Sequence, residues 1–223
     1  MTTFNIETYL DSLSENVTKI IINNKNITYL PDLSRFKKLK LLDCTSNKLT
    51  SLPELPESLK ILYCYYNHLT SLPELENLEE LHCSNNKLTS LPKLSETLQI
   101  LDCNYNQLKY LPKLPESLIK IYCDNNNLIS LLKLPENLTN IYCSHNQLTT
   151  LPILPKTLER LECNYNKLTS LPELPETLTQ LYCSHNKLTN LPVLPESLEI
   201  LHCSHNQLTT LPDFPESLTR IYG

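Results

Sequence analysis

Apolar and polar positions recur along the chain with a period of twenty. One stretch reads Leu59-Lys-Ile-Leu62-Tyr-Cys64-Tyr-Tyr-Asn67-His-Leu69-Thr-Ser-Leu72-Pro73. Another reads Leu178-Thr-Gln-Leu181-Tyr-Cys183-Ser-His-Asn186-Lys-Leu188-Thr-Asn-Leu191-Pro192-Val-Leu194-Pro195. Around Leu62-Tyr63-Cys64 apolar and variable residues alternate, which is the period of a strand. Cysteines at Cys44, Cys64, Cys83, Cys103, Cys123, Cys143, Cys163, Cys183 and Cys203 mark the spacing, with seven intervals of 20 residues and one of 19. Such regularity is one structural unit copied in tandem. Stacked copies predict a parallel sheet with one strand per unit and a single elongated solenoid.

Two further columns keep the same phase. An asparagine follows each cysteine by three, from Asn47 to Asn206. At the turn leaving a strand, an amide bonds its own backbone and reaches the neighbouring turn. The return segment, Leu-Thr-x-Leu-Pro-x-Leu-Pro, cannot be helical, because two prolines three apart fix φ and remove donors. It is predicted to run extended or polyproline-like on the convex side, its leucines meeting those of the strands. Departures are local: Leu132 and Ser95 each replace a proline, Phe214 replaces a leucine, and Leu75-Glu-Asn-Leu78 lacks one residue.

The consensus L-x-x-L-x-C-x-x-N-x-L-T-x-L-P-x-L-P-x-x resembles the leucine-rich repeat. Its length and L-P-x-L-P tail are similar to the short subtype of YopM- and IpaH-type bacterial effectors, in which Val usually stands where this chain has Cys. The resemblance covers roughly residues 17 to 223. It implies a curved parallel sheet, a protein partner on its concave face, and action on a host cell. The ubiquitin-ligase domain of IpaH-type effectors is not carried over, because no segment outside the repeats matches it.

The two ends differ from the middle. Ile6, Tyr9, Leu10 and Leu13 lie on one helical face, predicting a short amphipathic helix over residues 3–15. Residues 1–16 are thus expected to cap a solenoid of about ten repeats over residues 17–223. Glu7, Asp11 and Glu15 flank that face, which disfavours a lipid surface. An atypical first repeat, Val17 to Pro31, has Ile22 at the cysteine position and Lys25 at the asparagine position. The final Ile221-Tyr222-Gly223 matches the start of a further repeat, and an uncovered edge strand is a pairing hazard. End-to-end self-association, or truncation from a longer chain, is therefore a second expectation.

Charge and composition narrow the function classes. The formal net charge is −5, from 19 Lys+Arg and 24 Asp+Glu, which argues against nucleic acid and against anionic membranes. No apolar run long enough to span a membrane exists, and the N-terminus lacks the pattern of a secretory signal. Asn, Lys, Ile and Tyr are abundant, Ala and Trp are absent and Gly223 is the single glycine, as an AT-rich genome would produce. The phase of the cysteines points them into the core as small apolar side chains. Their odd number and side-by-side placement disfavour disulfides, and a reduced column implies an intracellular, reducing compartment. Cys-Ser-His at 143–145, 183–185 and 203–205 invites a metal reading through the histidines, although cysteine and histidine would point to opposite sides. Nothing supports catalysis, and no cofactor motif is present.

The variable positions flanking the inward Leu and Cys are expected to form the concave binding face. Before the cysteines stand Tyr63, His82, Tyr122, Tyr142, Tyr182 and His202. Two places after them stand Tyr66, Tyr105, His145, Tyr165, His185 and His205. Tyrosine is a preferred interface residue, offering a broad apolar face and a hydroxyl at low entropic cost. Glu57, Glu116, Glu176, Glu196 and Glu216 are expected on the convex side as a solvated acidic face. The sequence thus predicts a non-enzymatic module that docks a protein on its concave face. Self-assembly and metal binding through the histidines are the alternatives.

Overall fold

The computed structural model describes residues 4–223. One helix, α1 (Ile6–Asp11), precedes eleven three-residue strands: β1 (Lys19–Ile21), β2 (Leu41–Asp43), β3 (Ile61–Tyr63), β4 (Glu80–His82), β5 (Ile100–Asp102), β6 (Lys120–Tyr122), β7 (Asn140–Tyr142), β8 (Arg160–Glu162), β9 (Gln180–Tyr182), β10 (Ile200–His202) and β11 (Arg220–Tyr222). They form one parallel sheet in chain order. Register is strict: Leu62 faces Leu42 and Leu81, and Ile121 faces Leu101 and Ile141. The chain is therefore a leucine-rich-repeat solenoid, with non-helical return segments as its sequence predicted.

The core is a set of columns running the length of the solenoid. The middle residue of each strand from β2 to β10 is buried, and so is every cysteine that follows one. The convex leucines close the core from the other side, as in Leu69, Leu72 and Leu75. All nine cysteines are free. Burial pushes the Cys44 thiol up to about 12 and the Cys64, Cys83 and Cys103 thiols well above their ordinary value, so these groups stay neutral.

The asparagine column has its physical cause in the turn. Asn126 is buried, and its Nδ2 donates to Cys103 O, Cys123 O and Asp124 O. Its Oδ1 accepts from Leu108 N–H of the preceding turn at 3.0 Å. The same pattern repeats from Asn67 to Asn206. Asn47 serves the atypical first turn by accepting from Lys25 N–H and Ile27 N–H. Each unit thus completes the hydrogen bonding of the unit before it, which is how buried backbone groups are satisfied without a helix.

A second ladder on the convex side was not foreseen. The residue before the first leucine of a unit is usually Ser or Thr, and its hydroxyl donates to the carbonyl one unit back. Ser58 bonds Leu39 O, Ser117 bonds Leu98 O, Thr157 bonds Leu138 O and Ser197 bonds Leu178 O, all at 2.7–2.8 Å. This residue sits in a tight turn closed by bonds such as Leu118 N–H to Pro115 O. Where Ser95 replaces that proline, its hydroxyl accepts from Thr97 N–H and pairs with the Thr97 hydroxyl, so the turn survives.

The N-terminal helix is shorter than predicted. Residues 3–15 were expected; helix covers Ile6–Asp11, and Thr3 lies outside the described residues. Asn5 caps its start by accepting from Thr8 N–H. The Ser12 hydroxyl donates back to Tyr9 O at 2.7 Å, which ends the helix there. Ile6 and Leu10 are buried against the first repeat, and Tyr9 and Leu13 pack beside them. Tyr29–Glu7 ties the helix to that repeat, and Arg35–Asp11 ties it to the segment that follows. At the other end all three residues of β11 are exposed.

Candidate partner-binding face

Three side-chain columns cover the open face of the sheet. One comes from the first residue of each strand, one from the third, and one from the residue after each cysteine. The middle strand residue points inward, so first and third residues share the outer face by the two-residue period. Most of these side chains are half-buried, each packed beside its counterpart on the next strand.

The third-residue column carries the rings. Tyr63 and His82 lie 4.8 Å apart by ring centroid, Tyr122 and Tyr142 stack at 4.5 Å, and Tyr182, His202 and Tyr222 follow one another at 4.7 and 4.2 Å. Carboxylates interrupt the rings at Asp43, Asp102 and Glu162, one every third strand. Burial, followed by the neighbouring Tyr142, pushes the Tyr122 hydroxyl above its ordinary range. Burial lowers His202.

The column after the cysteines serves the backbone. Its Thr45 and Asn104 donate their N–H groups to Asp43 and Asp102 of the third-residue column. Asp124 accepts from Ser144 N–H at 2.6 Å, and Asn164 from Ser184 N–H at 2.8 Å. Burial raises the Asp124 carboxyl to about 6 against the opposing Ser144 bond, with smaller contributions from Glu162 and Asp102.

The predicted site residues separate into two groups. Tyr63, His82, Tyr122, Tyr142, Tyr182 and His202 are on the strands, as expected. Tyr66, Tyr105, His145, Tyr165, His185 and His205 are not: each occupies the turn after the strand with φ between 52° and 55°. The strands are three residues long and end before the cysteine, so two places beyond it the chain has already turned. The left-handed conformation at this residue rotates the next one, the asparagine, into the core. The rings form a separate row along the rim, where His145, Tyr165, His185 and His205 stack at 4.0–4.2 Å. Partial desolvation, then His205 and His145, lower His185. Tyr165 interrupts the histidines, and among the described residues no three His, Cys, Asp or Glu side chains are placed to hold a metal ion. The convex glutamates are exposed as predicted.

Sequence reasoning missed the first-residue column, and with it Arg160. Its guanidinium carbon lies 5.4 Å from the Tyr142 ring centre and 4.9 Å from that of Tyr182. Its Nε donates to Glu162 Oε1 at 2.8 Å, its Nη2 reaches the same oxygen, and its Nη1 donates to Gln180. The signal was available: Arg160 and Glu162 are two apart on one strand.

A family model described as Leucine Rich repeats (2 copies) matches residues 57–96 and 176–216. No curated protein sequence matches the chain. Among solved structures, YopM from Yersinia enterocolitica is 28% identical with a TM-score of 0.57, over 94% of this chain and 60% of that one. A Shigella effector LRR domain is 28% identical with a TM-score of 0.54, over 92% of this chain and 75% of that one. The functional domain of InlJ from Listeria monocytogenes, which includes a cysteine ladder, is 27% identical with a TM-score of 0.69, over 92% of this chain and 53% of that one. The chain thus spans less than two thirds of the YopM and InlJ chains. Leucine-rich-repeat domains bind protein partners and are in general scaffolds, not enzymes. By repeat, register and fold, this chain is a leucine-rich-repeat solenoid similar to the YopM-type bacterial effectors.

Proposed function

We propose that the protein is a non-enzymatic interaction scaffold that docks a protein partner on the open, concave face of its sheet, and that it acts as a host-directed effector in a reducing compartment. One observation carries the docking reading: seven rings and three carboxylates occupy the third-residue column from β2 to β11, on a face that no other part of the described chain covers. Tyrosine, which supplies five of the seven rings, is enriched at interface centres. The likeness to YopM and to the Shigella effector supports the effector reading, and the neutral, unpaired thiol column supports the compartment.

The test is affinity capture from host-cell lysate with the parent protein and with the triple variant Tyr122→Ser, Tyr142→Ser, Tyr182→Ser. A convex variant, Glu57→Gln with Glu176→Gln, serves as control. The reading expects one partner to be captured by the parent and the control and lost by the triple variant. Full retention by the triple variant, with its fold intact by circular dichroism, contradicts the concave site.

A further inference from the structure

The third-residue column has a repeating plan. A carboxylate stands at β2, β5 and β8, and the residues on the two flanking strands wall it in. Around Glu162 the walls are Tyr142 and Tyr182, and the space between them is filled by the chain's own Arg160. Strands about 4.8 Å apart put walls two strands apart at about 9.6 Å, which admits one planar group between two rings. The guanidinium there has a carboxylate to bond and rings to lie against, a combination that favours arginine over lysine.

The Asp102 slot has the same plan and lacks the arginine. Its walls are His82 and Tyr122, its carboxylate is Asp102, and Ile100 stands where Arg160 stands in the other slot. Asp102 accepts one bond, from Asn104 N–H, and its nearest basic group, His82 Nδ1, is 4.0 Å away. The surroundings are acidic. Glu80 lies on β4, with His82 Nε2 at 3.2 Å, and Asp124 lies nearby; Lys120 is the cation on β6, and among the described residues it forms no ion pair with Asp102. Lys120 occupies the place that Gln180 holds beside Arg160. The Asp43 slot is different: Ile21 replaces one ring wall, and the Asn23 amide already donates to the carboxylate.

We propose that the slot over Asp102, between His82 and Tyr122, receives an arginine side chain from the docked protein partner, held as Arg160 is held by Glu162. This deepens the docking reading and rests on it. The partner is thereby one that presents an arginine side chain to the middle of the sheet.

The test uses the whole protein and two probes, acetyl-Gly-Arg-Gly-amide and its citrulline counterpart, which keeps the shape and removes the charge. The arginine peptide is expected to shift the amide resonances of His82, Asp102 and Tyr122, and citrulline to bind about tenfold more weakly, as loss of a charge-assisted bond requires. Asp102→Asn, whose amide oxygen can still accept from Asn104 N–H, is expected to weaken the arginine peptide to a similar degree. Lys120→Gln is expected to tighten it by about threefold, the scale of an exposed charge pair. Ile100→Arg supplies the slot from within and is expected to abolish binding. Equal binding of both peptides, no binding of either, or full affinity in Asp102→Asn or Ile100→Arg overturns the slot. None of those results touches the tyrosine-dependent capture, so the wider docking reading fails or stands on its own test.

Discussion

Asn67 and Tyr66 are neighbours in the chain with opposite fates: the asparagine is 5% exposed and the tyrosine 57%. The same contrast recurs from turn to turn. The asparagine column is invariant because its amide answers four backbone groups that water cannot reach. The column before it varies among Ser, Tyr, Asn and His because its side chain faces solvent and its backbone alone is prescribed. The invariant position thus belongs to the fold and the variable one to the surface, even though both sit in the same turn.

The comparison breaks most visibly at the asparagines. Asn126→Ala strands Leu108 N–H and deprives three carbonyls of a donor, so it is expected to cost about 3 kcal/mol or more, read as a lower urea midpoint. Asn206→Ala, at a part-buried position, is expected to cost about half as much. A midpoint unchanged in Asn126→Ala would remove the ladder from the account.

Asp124 gives a smaller, pH-dependent effect. Its folded carboxyl titrates near 6, above its ordinary value of 3.8, so folding favours the protonated form. The stability this contributes is complete below the unfolded value and is lost as pH rises through 6. Asp124→Asn, which keeps an acceptor for Ser144 N–H, is therefore expected to be more stable than the parent at pH 7.5. The advantage is expected to vanish below pH 4. A constant difference across that range would contradict the assignment.

Three milder substitutions sharpen the contrast. Ser117→Ala removes one rung of the convex ladder and is expected to cost about 1 kcal/mol in thermal or urea unfolding. Ser46→Gly, at a left-handed residue with no ring to lose, relieves backbone strain and is expected to stabilise by about 0.5 kcal/mol. Tyr165→Gly makes the same backbone gain but gives up the His145 and His185 stacks, so it is expected to cost about 1 kcal/mol on balance.

The period of the cysteines carried most of this fold. Leu, Cys and Asn repeat in one phase, and a buried column, a neutral thiol and a satisfied amide follow from that phase alone. The rim was misplaced because a left-handed residue is usually announced by Gly or Asn, and here Tyr and His stand in its place. The convex ladder was visible as a recurring Ser or Thr before each leucine, but which carbonyl it meets depends on the stacking distance. Arg160 was overlooked for a related reason: Glu162 shares its strand, but Tyr142 and Tyr182 reach it only when three strands are in register. The chain's own arginine in turn shows what the Asp102 slot lacks.

The division of labour between the columns is tested most directly within one repeat, with Tyr142→Ser and Asn146→Ser measured side by side for urea midpoint and for affinity toward the captured partner. Tyr142→Ser is expected to lower affinity about tenfold or more while costing only about 1 kcal/mol of stability, the worth of its stack on Tyr122. Asn146→Ser is expected to cost about 3 kcal/mol and, under conditions where it remains folded, to leave affinity unchanged. A Tyr142→Ser variant that binds at full affinity, or that unfolds as readily as Asn146→Ser, would contradict the account.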